Sequence, residues 1–150
     1  MQPTGGKPSA LVKPTLETLY HIDYGWWERS GEDLRIYRLG HLSPEDRERL
    51  SQDTENRVVD FVDPNTGEVF QLDELGLALQ RAASAPDFIN PHVAVVDNVF
   101  RVFLANGNQP LTPNVLAERI GRPASLILKT ISGARVYKGI RPFQADKSGG

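Results

Sequence analysis

Leu111 to Gly133 reads LTPNVLAERIGRPASLILKTISG, and this stretch decides how the chain is organised. Thr112 is placed as a helix cap, because its side-chain oxygen can accept one of the backbone N–H groups that a first turn leaves unpaired. Pro113 suits the first helical position, where its missing N–H is not needed and its φ is already helical. Val115, Leu116 and Ile120 then give a buried face over two turns, and Ala117 is small enough for a second helix to cross closely. Gly121 stands where the chain has to turn sharply. Pro123 restarts a helix that carries Ile127 and Ile131 four residues apart on one face. The expectation is two short helices joined by a glycine-containing turn.

Upstream, Pro91 to Ala105 holds Val95, Val96, Val99, Phe100, Phe103 and Leu104 at i, i+3, i+4, i+7 and i+8 spacing. This is the strongest amphipathic pattern in the chain, and Asn106-Gly107 closes it. Downstream, Arg135 to Arg141 (RVYKGIR) alternates in character and is expected to form a strand or wing. With these neighbours, the run Leu116-Ala117, Ile120-Gly121 and Ile127 resembles the helix-turn-helix superfamily, and the strand after it resembles a winged-helix arrangement. The resemblance covers roughly a third of the chain.

That resemblance implies a second helix lying in a major groove with its first exposed residues at base edges. Here those positions are Pro123, Ala124, Ser125, Leu128, Lys129 and Ser132. None is Arg, Asn or Gln, the side chains that make bidentate base contacts. The expected partner is therefore double-stranded DNA held mainly through its phosphates, with Arg119, Arg122, Ser125, Lys129, Arg135, Lys138 and Arg141 as the contact set. Paired half-sites would imply a homodimer, although no heptad helix is present to mediate one. The competing expectation is a protein partner. Leu126 and Leu128 leave little of the second helix polar, so the helix-turn-helix unit would dock a partner through Leu128, with the acidic region and the pair Trp26 and Trp27 as a second contact. A purely structural three-helix unit is the third reading.

Charge distribution favours a polyanion-facing end without deciding the matter. Residues 1–109 hold 10 Lys/Arg and 17 Asp/Glu, a balance of 10 − 17 = −7. Residues 110–150 hold 7 and 2, or +5, and the two parts sum to the net −2 of the whole chain. Attraction between the two ends, within the fold or across a dimer, would account for the same asymmetry.

The preceding region reads as mixed. Thr18, Tyr20 and Ile22 alternate with Leu19 and His21 as a strand; Asp23 caps a short helical turn bearing Tyr24, Trp26 and Trp27. Leu34, Ile36 and Tyr37 to Leu39 read as a second short strand. Ser43-Pro44-Glu45-Asp46 opens a helix that runs to about Gln52. Arg57 to Leu72 is a hairpin turning at Asp63-Pro64-Asn65-Thr66-Gly67, and Asp73 caps a helix through about Ala83. The fold class expected is α+β: a small mixed region with a β-hairpin over 16–90, packed on a winged-helix-like unit over 91–143. Residues 1–15 and 144–150 are read as a flexible leader and tail.

Several function classes drop out. Apolar residues make up 39% of the chain and charged ones 24%, enough for a core, yet no apolar run nears the roughly 18 residues of a membrane span. The first residues lack a charged-then-apolar signal layout, so a soluble, cytoplasmic protein is expected. With no cysteine there is no disulfide, thiolate nucleophile or thiolate metal site. His21, Asp23 and His41 do not complete a metal site, and His92 lies far along the chain. No Gly-x-Ser-x-Gly elbow and no phosphate-cradling glycine loop occurs. Glu45, Asp46 and Glu48 are explained by helix-end electrostatics, and Asp60, Asp63 and Glu68 flank a turn. The reading is non-enzymatic, with no cofactor. Tyr20, Tyr24, Trp26 and Trp27 form the densest aromatic cluster and are expected in a core or an interface.

Overall fold

The computed structural model describes residues 13–52, 57–64 and 66–144. The leader expected over 1–15 and the tail expected over 144–150 lie largely outside the described residues. Strand β1 (Tyr20–Ile22) turns Tyr20 and Ile22 inward, where both are fully buried, and leaves His21 half-buried. It pairs antiparallel with β4 (Ile140–Pro142), Ile22 opposite Ile140 and Tyr20 opposite Pro142. On its other side Leu111 closes a two-way backbone bridge to Tyr20, at 2.8 and 3.0 Å. Asn108, in the left-handed region at φ 61°, extends that edge with a side chain instead of a strand. Its amide accepts from the Ile22 N–H at 2.8 Å and donates to the Ile22 carbonyl at 2.9 Å.

Three short helices follow. In α1 (Tyr24–Ser30) the Asp23 carboxylate accepts from the Gly25 N–H at 3.0 Å, and Gly31 ends the helix at φ +79°. The segment expected as a second strand, Leu34 to Leu39, is instead helix α2 (Leu34–Leu39). Asp33 decides it by capping the Ile36 N–H at 3.1 Å. Leu34 and Tyr37, three apart, then pack on the core, while Ile36, the residue that made the sequence look alternating, is 66% exposed. Helix α3 (Pro44–Gln52) begins as read, with Ser43 Oγ accepting from the Asp46 N–H at 3.2 Å.

The expected hairpin forms from β2 (Val58–Val62) and β3 (Val69–Asp73), in a register that sets Asp60 against Gln71 and Phe61 against Phe70. Asp73 then caps α4 (Glu74–Ala83), accepting from the Gly76 N–H at 2.7 Å. Helix α5 (Val95–Ala105) starts four residues later than the apolar pattern proposed. Asn90 is the reason: its side chain captures the His92 N–H at 2.9 Å, and its carbonyl accepts from Asn98 Nδ2 at 2.9 Å, so the chain turns before it winds. Helices α6 (Pro113–Ile120) and α7 (Ala124–Ile131) complete the order. Seven helices and two small antiparallel sheets among the described residues make an α+β fold. None of those helices is long and apolar enough to cross a membrane.

One core runs across residue 90. Leu50, Leu75 and Leu79 from the first part join Val99, Phe100, Phe103, Leu116 and Ile127 from the second. The sheet adds a further tie, because β1 lies between segments that follow it by more than 80 residues.

A polar island sits in this core. His41, 7% exposed, stacks on Phe100, and its Nδ1 accepts from Arg101 Nε at 3.0 Å. The Tyr37 hydroxyl donates to Asp97, and burial, then that carboxylate, holds the Tyr37 phenol well above its usual range. Burial first, then the Arg101 guanidinium, pushes the His41 imidazole down to about 4. An unfolded chain binds a proton at this histidine near pH 6.5, whereas the native one does not until about pH 4. The stability contributed by His41 is therefore full above pH 6.5 and is lost as pH drops through that window, by on the order of 3 kcal/mol. Urea unfolding at pH 7.5 and pH 4.5 measures the drop, and His41→Gln is expected to flatten the His41 share of the slope.

Candidate nucleic-acid interface

The two short helices assemble as their sequence dictates. Thr112 Oγ1 accepts from the Val115 N–H at 3.2 Å, and Pro113 sits in the first turn of α6. Gly121 takes the left-handed conformation at φ +78° and returns its N–H to the Ala117 carbonyl at 2.8 Å. Pro123 then opens α7, which no side chain caps. Leu116 and Ile127 are wholly buried between the helices, and α7 packs on α5 and α6.

The orientation of α7 follows from this packing. Ile127 and Ile131 point into the core. Ser125 and Lys129 are each about 200° away around the helix, one turn from each other, and both are exposed. Arg122 is exposed in the turn before α7, and Arg119 at the end of α6. Beyond the helix, the Arg135 guanidinium lies 5.1 Å over the ring of Tyr137, and both side chains are open to solvent. The Arg135-x-Tyr137 spacing is the signal for that pairing in the sequence. From Arg119 to Arg135 the chain carries four cations and no carboxylate. Among the described residues, none of these four takes part in an ion pair.

Two other expected cations are already engaged. Lys138 is half-buried, its Nζ 4.8 Å over the Tyr37 ring and 3.5 Å from a Glu32 oxygen. Arg141 lies 3.2 Å from Asp23, a carboxylate it shares with Arg29. Burial alone would raise that carboxyl, but the Trp26 backbone N–H, then the Arg141 and Arg29 cations and the Gly25 N–H, together hold it below its ordinary range. Lys138 is tied to Glu32 and the Tyr37 ring, and Arg141 ties β4 to the Asp23 carboxylate that caps α1, so neither is among the unpaired cations.

The wing is also corrected. Only Ile140–Pro142 is a strand, and it pairs with β1 rather than with the residues just before it. Tyr137 to Ile140 is a tight turn closed by the Ile140 N–H on the Tyr137 carbonyl at 3.1 Å, with Lys138 at φ 56° and Gly139 at φ +75°. Two left-handed residues in succession are the type I′ pattern. Trp27 holds the turn, donating from Nε1 to the Lys138 carbonyl at 3.1 Å. This indole is 4% exposed and stacks on Tyr37, so Trp27 is a core residue and not a docking residue. Trp26 is half-buried, edge-on to Trp27; Leu128 is half-buried on the flank of α7.

The Tyr37–Asp97 and His41–Arg101 contacts leave one signal in the sequence: Asp97 and Arg101 are the two charged residues of a mostly apolar helix and lie four apart on it. No protein-family model matches the chain, and no curated protein or solved structure matches it.

Proposed function

We propose that the chain binds double-stranded DNA through the exposed side chains of Arg119, Arg122, Ser125, Lys129 and Arg135, mainly by phosphate contacts, as a non-enzymatic DNA-associated protein. The supporting observation is the run of four cations without a carboxylate, none ion-paired among the described residues, around a helix whose Ser125–Lys129 face is open to solvent. Unpaired surface cations are what phosphate neutralisation requires, since each one that meets a phosphate releases a condensed counterion. The start of α7, free of a side-chain cap, adds backbone N–H groups suited to the same anion.

Helix α7 itself offers Ser125 and Lys129 to the groove and no Arg, Asn or Gln, so the contact suits register on the backbone rather than base readout. Fluorescence anisotropy with two unrelated labelled duplexes tests the reading. Micromolar binding to both, with affinities within about threefold, is the expected result. No binding to either duplex at micromolar protein would refute it and favour the protein-docking alternative around Leu128.

A further inference from the structure

The hairpin stands apart from the sheet of β1 and β4. Among the described residues it has only two strands, and no third strand pairs with either. A two-stranded hairpin is marginal in water unless something covers it. Helix α4 packs against it, yet Val58, Val62 and Val69 remain 57–61% exposed and Phe70 43%. No backbone hydrogen bond leads from Val69 to Leu72 to any described residue outside the hairpin.

Its two edges differ in charge. Strand β2 carries Asp60 at its centre, a charge of the kind that discourages edge pairing. Strand β3 has no charge from Val69 to Leu72, and its one acid, Asp73, is occupied in capping α4. An antiparallel pairing of β3 with itself about Gln71 would oppose Phe70 to Leu72 of the second copy, Gln71 to Gln71 and Val69 to Asp73, with no like charges facing inside the strand; just beyond its ends Glu68 would face Glu74, whose carboxylate is already paired with Arg49 and Arg57. The same operation on β2 would set Asp60 against Asp60. We infer that the β3 edge is a homodimer interface, in which two hairpins join antiparallel about Gln71 into one four-stranded sheet.

The two outer strands of that sheet are then both β2, each guarded by Asp60, so assembly stops at two chains. This inference stands independently of DNA binding.

Gln71→Lys separates the alternatives because it acts oppositely on the two pairings. Within one chain it faces Asp60, across the hairpin, and supports the fold; across the dimer axis it places two ammonium groups together. Sedimentation velocity over a wide concentration range is expected to show monomer and dimer for the wild type. The variant is expected to have a dimer dissociation constant raised about fivefold to tenfold, with unchanged circular dichroism. Mixing Gln71→Lys with Gln71→Glu chains is expected to restore a mixed dimer. A wild type that stays monomeric, a dimer indifferent to Gln71→Lys, or growth beyond two chains would each overturn the inference.

Discussion

Gly139→Ala is expected to destabilise the protein by on the order of 3 kcal/mol, whereas Gly121→Ala costs about 1 kcal/mol. The two glycines have nearly the same backbone, φ +75° and +78°, so the left-handed penalty of a side chain is common to both. Their surroundings differ. A Cβ on Gly121 meets nothing within 4 Å, while one on Gly139 would fall 2.8 Å from Trp27 Nε1 and 3.0 Å from the Asp23 carbonyl oxygen. The second of those atoms is backbone and cannot swing away. The clash also displaces the Asp23 N–H from the Gly139 carbonyl, now 2.7 Å away, and loosens the indole from the Lys138 carbonyl. Chemical denaturation of both variants beside the wild type measures the difference. Equal losses at the two sites would show that β4 does not dock through this turn.

Reversing two exposed cations is expected to act on binding and not on folding. On the proposed phosphate-binding reading, Arg122→Glu with Lys129→Glu would remove two contacts and add repulsion, and affinity for duplex DNA should fall at least about a hundredfold. Both side chains are exposed and unpaired among the described residues, so stability should stay within about 0.5 kcal/mol of the wild type. Lys138→Gln supplies the contrast. Its ammonium is already held by Glu32 and the Tyr37 ring, so duplex affinity should change by no more than about twofold. Anisotropy titrations of the three proteins decide between a localised contact face and diffuse attraction.

The helical end was legible because short-range rules agree there. Thr112, Pro113, Gly121 and the Ile127–Ile131 pair each specify local geometry, and the packed helices satisfy all of them at once. Leu34 to Leu39 misled because Ile36 imitates an inward residue at period two; the Asp33 cap outweighed that alternation. The wing was misread for a different reason. Alternation in Arg135–Arg141 shows that a strand is possible but not with what it pairs, and the partner, Tyr20–Ile22, lies more than a hundred residues upstream. For the same reason Lys138 and Arg141 looked free: their partners Glu32 and Asp23 approach only when β4 joins β1. Trp27 belonged to the same hidden contact. Asn108, completing a sheet edge with its side chain, leaves no periodic trace at all.

The most direct measurement of the central claim is the salt dependence of duplex binding. With the cations Arg119, Arg122, Lys129 and Arg135 all on phosphate, the logarithm of the association constant should fall against the logarithm of salt concentration with a slope of about −3 to −4. A slope near zero, or no measurable association at low salt, would contradict a phosphate-binding face.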